Sequence, residues 1–271
     1  MSAILVPVVV LGGLGLLFGF SLGFASKAFA VETDPKADEI RKVLPGANCG
    51  ACGYPGCDGC AVAIAEGNAP VSACIVGGSS VAEKIADIMG TDAGNVVREV
   101  ATVLCQGDCS KAKNKYAYAG LRDCRAQNIL AGGSKACSYG CLGCGTCVDV
   151  CDFDAIHIVN GVALVDKEKC VACQACIKVC PKGIIELVPY DNEVVVKCKS
   201  NDPGKVVRKN CSIGCIGCQI CVKNCPENAF SFENNLARIN YEKCTNCGIC
   251  VGKCPTGAIF SGLEQLKENV Q

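Results

Sequence analysis

Cysteine is the residue that most restricts the fold of this chain. Of its 271 residues 27 are cysteine, and most of these fall into four runs of the form CxxCxxCxxxC. Cysteines three or four residues apart share one short loop and direct their sulfurs at a common centre, so the runs are expected to bind metal. The runs are Cys141, Cys144, Cys147 and Cys151; Cys170, Cys173, Cys176 and Cys180; Cys215, Cys218, Cys221 and Cys225; and Cys244, Cys247, Cys250 and Cys254.

Disulfides and zinc fit these runs less well than iron–sulfur clusters do. Disulfide frameworks belong mainly to secreted chains that are too small for a core of their own. A zinc site takes two cysteines from each of two CxxC knuckles, whereas each run here supplies a third and a fourth. Bacterial ferredoxins bind [4Fe–4S] clusters at this spacing, with three thiolates on one cluster and the fourth on its neighbour. The sequence therefore predicts a chain that transfers electrons.

The rest of the composition excludes several other functions. The net charge is zero, which gives no sign of a nucleic-acid partner. The sequence has one histidine, no tryptophan and no HExxH, GxSxG, P-loop or GxGxxG motif. Hydrolase, kinase and nicotinamide-binding functions therefore lack support, and we predict no catalytic residue and no cofactor site beyond the cluster ligands.

The second half of the chain contains an internal repeat. Each cysteine of the first two runs reappears 74 residues later in the last two runs. In each copy the runs flank a predicted β-hairpin, which turns at Asn160-Gly161 in the first copy and at Asn234-Asn235 in the second. One supersecondary unit is therefore used twice.

A different cysteine motif precedes the repeat. Residues 48–57 read NCGACGYPGC, a glycine-rich loop with three cysteines, and Cys74 follows after a predicted helix. This spacing departs from that of the ferredoxin runs, so we expect a separate small domain with one cluster. Cys60 is predicted to be a buried packing residue, because free cysteine is more often packed than bound.

The N-terminus is predicted to be a membrane anchor. Residues 4–25 form a stretch of 22 residues without a charge, which as a helix spans about 33 Å against a hydrocarbon core of about 30 Å. A cleaved signal peptide is the alternative, because Ala28-Phe29-Ala30 has the form of a cleavage site. Basic residues follow the stretch, so the positive-inside bias places the rest of the chain in the cytoplasm.

In a two-cluster ferredoxin the fourth cysteine of each run binds the cluster of the other run, and this exchange gives the expected ligand sets. Asp152 follows Cys151, where proline follows the fourth cysteine of the other three runs. Five clusters are expected on twenty cysteines: Cys49, Cys52, Cys57 and Cys74; Cys141, Cys144, Cys147 and Cys180; Cys170, Cys173, Cys176 and Cys151; Cys215, Cys218, Cys221 and Cys254; and Cys244, Cys247, Cys250 and Cys225.

Seven cysteines are left, and some of them could form a sixth cluster. The preferred set lies together in sequence and consists of Cys105, Cys109, Cys124 and Cys137. The alternative set is related by the 74-residue offset and consists of Cys124, Cys137, Cys198 and Cys211. All seven could also be packing thiols.

The order of these motifs resembles the B subunit of the Rnf complex, the ion-translocating ferredoxin:NAD oxidoreductase, in its long form with two ferredoxin-like units. The resemblance rests on the N-terminal apolar helix, NCGACGYPGC with Cys74 and the ferredoxin runs, and it covers nearly the whole chain. It implies the electron-input subunit of that enzyme, which takes electrons from reduced ferredoxin and passes them to membrane subunits while Na⁺ or H⁺ is translocated. The alternative is a polyferredoxin-type adaptor of a membrane hydrogenase or dehydrogenase without ion pumping.

The predicted fold class is α+β, with a single N-terminal transmembrane helix, a small N-terminal [4Fe–4S] domain and two tandem bacterial-type 2[4Fe–4S] ferredoxin-like units. The expected location is the plasma membrane, with lipid contact through residues 4–25. The predicted domains are an anchor at 1–28, the N-terminal cluster domain at 34–92, a cysteine-containing linker at 93–136, ferredoxin-like units at 137–197 and 198–262, and a tail at 263–271.

Two groups of basic residues could guide an acidic ferredoxin to the chain, because a summed positive field raises the rate of encounter. The first group is Lys111, Lys113, Lys115, Arg122 and Arg125; the second group is Lys199, Lys205, Arg208 and Lys209.

Overall fold

The computed structural model describes residues 2–28, 34–94 and 97–261. Within these ranges the helices are α1 (Ser2–Ala28), α2 (Pro35–Val43), α3 (Gly56–Ala65), α4 (Gly78–Met89), α5 (Cys124–Ile129), α6 (Thr146–Asp149), α7 (Ala175–Val179), α8 (Gly204–Asn210), α9 (Ile220–Lys223) and α10 (Ile249–Lys253). The strands are β1 (Glu99–Val103), β2 (Ile156–Val159), β3 (Val162–Val165), β4 (Ile185–Pro189), β5 (Val194–Val196), β6 (Phe230–Glu233), β7 (Leu236–Ile239) and β8 (Ile259–Ser261). The predicted tail at 263–271 lies outside the described residues.

The structure contradicts the prediction of a transmembrane helix at the N-terminus. Helix α1 is formed over Ser2–Ala28. No helix in the described part of the chain is both long and apolar enough to cross a membrane. The α+β fold class is therefore retained without its transmembrane helix.

The N-terminal domain is a small three-helix unit. Helix α2 begins at Asp34, whose carboxylate accepts a hydrogen bond from the backbone N–H of Lys36 and so caps the helix. Helices α2, α3 and α4 pack on a common core that contains the fully buried side chains Ile40, Ile64 and Ile85. The loop between α2 and α3 carries Cys49 and Cys52, and Cys57 lies in the first turn of α3, so the helices fix both ends of the cysteine motif.

Two similar units follow, and each contains two antiparallel two-stranded sheets. The first unit pairs β1 with β4 and β2 with β3, and the second pairs β5 with β8 and β6 with β7. Both predicted hairpins are formed at the predicted turns. Their central residues have positive φ, +47° and +76° at Asn160-Gly161 and +49° and +62° at Asn234-Asn235. Two successive positive φ angles are typical of the tight turns that match the twist of a hairpin.

The first strand of each unit lies upstream of the predicted unit boundary. Strand β1 falls in the predicted linker at 93–136 and pairs with β4, and β5 falls in the predicted first unit and pairs with β8. Short apolar strands of this kind carry little periodic signal of their own. The two units meet at a small buried cluster formed by Leu104, Val188 and Val195, with Tyr241 packed against it.

One glycine between a cysteine loop and a hairpin turn is expected to be essential for stability. Gly143 has φ +71°, and a methyl group there would overlap the backbone carbonyl of Gly161. Gly248 has nearly the same backbone angle, φ +72°, but open space around it. We expect Gly143→Ala to be less stable than Gly248→Ala by about 1–3 kcal/mol, because both variants carry the left-handed strain and only Gly143→Ala adds the overlap.

Thermal unfolding of both variants, followed anaerobically by far-UV circular dichroism, measures this difference. Gly248→Ala is the matched control for backbone strain. Equal unfolding midpoints for the two variants would contradict the close approach of the loop and the turn.

Candidate iron–sulfur sites

The N-terminal domain brings its five cysteines to one end of its helices. The side-chain oxygen of Asn48 accepts a hydrogen bond of 2.8 Å from the backbone N–H of Cys57, which closes the cysteine loop on the start of α3. Burial raises the pKa of Cys74, and negative charge on the three loop cysteines raises it further, so the four predicted ligands face one another. The four are Cys49, Cys52, Cys57 and Cys74.

Cys60, the fifth cysteine of this domain, lies beside the predicted ligands. Its side chain is 1% exposed in the core of the three helices. Burial, together with the charge of neighbouring Cys52, raises the pKa of the Cys60 thiol to about 12.

The first ferredoxin-like unit collects its cysteines at two places. A cavity of about 350 Å³ is lined by Cys141, Cys147 and Cys180, three of the four cysteines predicted for one cluster. The fourth, Cys144, follows on the same loop, and its thiol donates a hydrogen bond of 2.9 Å to the side-chain oxygen of Gln127 in α5. Cys180 reaches this cavity from the far cysteine run, as exchange of the fourth ligand requires.

The second place in this unit is formed around Cys176. Burial raises the pKa of this thiol to about 12, and negative charge on Cys170, Cys173 and Cys151 adds to the effect. Backbone N–H groups approach two of the sulfurs at 3.4 Å, from Ala101 to Cys170 and from Ala155 to Cys151. Cys151 therefore joins the other run although aspartate, not proline, follows it.

The second unit repeats this arrangement. A cavity of about 370 Å³ is lined by the four cysteines predicted for one cluster, Cys215, Cys218, Cys221 and Cys254. Burial raises the pKa of Cys250 to about 11, with added effects from Cys244, Cys247 and Cys225, the other predicted set. The backbone N–H of Ala229 lies 3.4 Å from the Cys225 sulfur, as that of Ala155 does from Cys151 in the first unit.

The chemistry of these groups fits [4Fe–4S] clusters. Each group offers four sulfurs and directs backbone N–H groups at some of them, and such hydrogen bonds stabilise thiolates that carry negative charge. In the described ranges no three or more His, Cys, Asp or Glu side chains are grouped to hold a single metal ion. A cubane binds one sulfur at each of four corners and so needs a wider cage than a single tetrahedral ion does.

Neighbouring sites are close to one another along the molecule. Negative charge on Cys49 of the N-terminal domain affects the pKa of Cys173, so these two sites face each other. Within the first unit Cys147 of one site is close to Cys176 of the other. The N-terminal site and the two sites of the first unit are therefore neighbours, and carriers in neighbouring sites can pass electrons from one to the next.

The structure groups the remaining cysteines differently from either predicted set. Cys105, Cys137, Cys198 and Cys211 line one cavity between the two units. Cys109 is exposed beside Gly161, and Cys124 lies near Cys144 at the first ferredoxin site. A signal for this grouping is present in the sequence, because an apolar strand precedes Cys105 as VATVLC and Cys198 as EVVVKC.

Comparison with known protein families supports the domain architecture. Residues 44–76 match the FeS family model, which describes an Fe-S cluster. Residues 140–184 and 214–258 each match the model of a 4Fe-4S dicluster domain.

Curated relatives resemble the chain over most of its length. It is 52% identical over 245 residues to the B subunit of the Na⁺-translocating ferredoxin:NAD⁺ oxidoreductase complex of Acetobacterium woodii, an alignment that covers 90% of this chain and 74% of the relative. It is 46% identical to the B subunit of the proton-translocating ferredoxin:NAD⁺ oxidoreductase complex of Clostridium ljungdahlii, over 90% of this chain and 87% of the relative. It is 42% identical to the B subunit of the ion-translocating oxidoreductase complex of Methanosarcina acetivorans, over 90% and 94%.

These matches confirm the resemblance that the motif order predicted, and they confirm multiple [4Fe–4S] clusters as the cofactors. The chain belongs to the family of B subunits of Rnf-type ion-translocating ferredoxin:NAD oxidoreductase complexes, and it is an iron–sulfur electron-transfer subunit.

Proposed function

We propose that this chain accepts electrons from reduced ferredoxin at its second ferredoxin-like unit and passes them through its N-terminal domain to membrane subunits of the complex. The observation that carries the proposal is that the N-terminal site lies next to the sites of the first unit, which in turn packs against the second unit. Each [4Fe–4S] cluster, when bound, supplies a carrier of one electron at a time. The chain itself positions these carriers and contributes no bond chemistry.

The ligands of the five clusters are proposed to be the sets predicted from the sequence. The cavities and the neighbouring sulfurs described above support this assignment in both units. The residues act by holding sulfurs at fixed positions, by donating backbone N–H groups to them and by excluding water from the buried ones. In each unit the exchanged fourth cysteine ties its two sites into one rigid pair.

The surface of α8 is proposed to receive the ferredoxin. Lys205, Arg208 and Lys209 are exposed on this helix, and none of them forms an ion pair with another described residue. Helix α8 packs against the loop that carries Cys218, because Gly204 touches the carbonyl of Ile216. Cys218 is itself exposed, so a donor bound here would lie next to a cluster ligand.

The first basic group is less suited to this role. Lys111 pairs with Asp108 at 3.0 Å, Arg125 lies 3.6 Å from Asp123, and Lys115 donates a hydrogen bond to the carbonyl of Ala131. These contacts offset part of the positive field that an acidic partner would meet.

The site of action is proposed to be the cytoplasmic face of a membrane. The relatives are named as subunits of ion-translocating complexes, and translocation of an ion requires a membrane between two compartments. None of the 27 cysteines forms a disulfide in the structure, which suits a reducing compartment. The N-terminal domain would then face the membrane subunits.

Charge reversal on α8 tests the docking proposal. The triple variant Lys205→Glu, Arg208→Glu, Lys209→Glu should accept electrons from reduced ferredoxin roughly 10-fold or more slowly at low salt, because attraction becomes repulsion. The difference should shrink at high salt, where surface charges are screened. Anaerobic stopped-flow bleaching of the cluster absorbance measures the rate.

The matched control is Lys113→Glu, Lys115→Glu, Arg122→Glu, which makes the same change in net charge on exposed residues of the first basic group. A similar loss of rate in both triple variants would show an effect of net charge alone. An unchanged rate in the α8 variant at low salt would refute docking on α8.

Ligand exchange within the first unit is tested by pairs of substitutions. Cys180→Ala and Cys147→Ala belong to the same proposed site, so the double variant should lose no more clusters than the more damaging single variant. Cys180→Ala and Cys176→Ala belong to different sites, so their losses should add. Spin quantitation of the dithionite-reduced protein by EPR counts the remaining clusters. Additive losses for the first pair and non-additive losses for the second would show that each run binds its own cluster.

A further inference from the structure

The cavity between the two ferredoxin-like units is lined by four cysteines that the five proposed sites do not use. Two come from each unit: Cys105 and Cys137 from the first, and Cys198 and Cys211 from the second. The cavity has a volume of about 420 Å³, part of it open to solvent, compared with about 350 Å³ and 370 Å³ for the cavities at the ferredoxin sites described above. It is therefore as large as the cavities at which clusters are proposed to bind.

The four cysteines lie close together around this cavity. A methyl group built on Gly107 would lie 3.4 Å from the Cys211 sulfur and 3.7 Å from the Cys105 sulfur. A methyl group built on Gly214 would lie 3.7 Å from Cβ of Cys211 and 3.9 Å from the Cys198 sulfur. Cys137 lines the same cavity.

The two units contribute to this cavity in the same way. Cys105 follows the end of β1 by two residues, and Cys198 follows the end of β5 by two residues. Cys137 and Cys211 each precede the first cysteine of their unit's first run by four residues. Equivalent positions of the repeated unit thus line one cavity.

An extended segment at residues 111–115 holds the two halves of the cavity at a fixed separation. The backbone N–H of Lys113 donates a hydrogen bond of 2.9 Å to the carbonyl of Asn210, and that of Ala136 donates one of 2.7 Å to the carbonyl of Lys113. Ala112 forms an antiparallel bridge with Cys211, and Asn114 forms one with Lys135. The residues next to Cys137 and Cys211 are therefore both bonded to one strand-like segment.

Two lysines line the same cavity. Lys135 is 4% exposed, and its ammonium donates hydrogen bonds to the carbonyls of Gly107 and Gly161 at 2.6 Å and 3.0 Å. Lys197 is half-buried, and its ammonium lies 5.1 Å from the centroid of the Phe260 ring. Among the described residues neither lysine has a carboxylate within ion-pair distance. A buried cation such as Lys135 is costly without an anion, and four thiolates on an iron–sulfur core would supply one.

The cavity also touches the first cluster site of each unit. The backbone N–H of Cys141, a proposed ligand in the first unit, lies 3.4 Å from the sulfur of Cys105. The backbone N–H of Cys215, the equivalent ligand in the second unit, faces the sulfur of Cys198. A carrier in the cavity would therefore be one residue away from a ligand on either side.

We propose that Cys105, Cys137, Cys198 and Cys211 bind a sixth [4Fe–4S] cluster, which connects the electron carriers of the two ferredoxin-like units. The ligand assignment rests on the cavity alone, whereas the role of the cluster as a connection between the units rests on the proposed function. The competing explanations are a structural zinc ion bound by the same four cysteines and a set of packed thiols without metal.

The first test needs no substitution. The full chain, isolated and reconstituted without oxygen, should contain about 24 iron atoms and about 24 acid-labile sulfides, as six clusters require. About 20 of each with one zinc ion would overturn the cluster in favour of zinc. About 20 of each without zinc would overturn the site altogether.

Alanine substitutions then identify the ligands. The double variants Cys137→Ala, Cys211→Ala and Cys105→Ala, Cys198→Ala should each lose about four iron atoms and one cluster by EPR spin count, because each removes two of four ligands. The matched control Cys109→Ala removes an exposed cysteine that lies outside the cavity and outside the five proposed sites, and it should keep all six clusters. Loss of one cluster in this control but not in the variants would overturn the assignment. If one double variant fails to fold, the other still decides it.

Rapid mixing with reduced ferredoxin tests the role of the site in electron transfer separately from its existence. In the Cys137→Ala, Cys211→Ala variant the clusters of the second unit should be reduced at the normal rate and the remaining clusters more slowly. Loss of one cluster without any slowing would keep the site and refute its role as a connection. Failure of ferredoxin to reduce the unsubstituted chain would refute the proposed function and leave the iron counts as the test of the site.

Discussion

Antiparallel pairing of the first and last strands in each ferredoxin-like unit is the constraint on which the cysteine sites depend. In the first unit β1 pairs with β4 in a register that places Val103 opposite Ile185, five residues after Cys180. The same strand directs the backbone N–H of Ala101 at the sulfur of Cys170. Ligands that are far apart in sequence are thus held near one another before any metal contributes, which lowers the entropy that binding must overcome.

The chain combines this geometry with a small number of compensating charges. A chain that carries many thiolates on iron is strongly anionic at its sites, although its formal net charge without metal is zero. Most of the compensation seen in the structure comes from backbone N–H groups directed at sulfur, which add no net charge. Between the units the buried ammonium group of Lys135 and the half-buried side chain of Lys197 add positive charge. Such charge favours the reduced, more negative state of a neighbouring cluster, so this cavity differs electrostatically from the others.

Much of the fold and of the site could be predicted from spacing because local chemistry determines both. The hairpins at Asn160-Gly161 and Asn234-Asn235 follow from turn residues that tolerate positive φ, and the cysteine runs follow from the geometry of one loop. The prediction of a membrane anchor, which rested on hydropathy, is contradicted by the structure. Strands β1 and β5 are not predicted because strands of three to five residues are too short to show a clear alternation of apolar and polar residues. Their partner strands also lie far along the chain.

The 74-residue offset shows why sequence alone did not find the grouping between the units. The offset pairs Cys124 with Cys198, but the strands show that Cys105 is the equivalent of Cys198. The two copies differ in length at this point, because 32 residues separate Cys105 from Cys137 and 13 separate Cys198 from Cys211. The additional residues of the first copy contain the segment at 111–115 that bonds to both halves of the cavity. The insertion that breaks the repeat in sequence is therefore the part that joins the two copies in space.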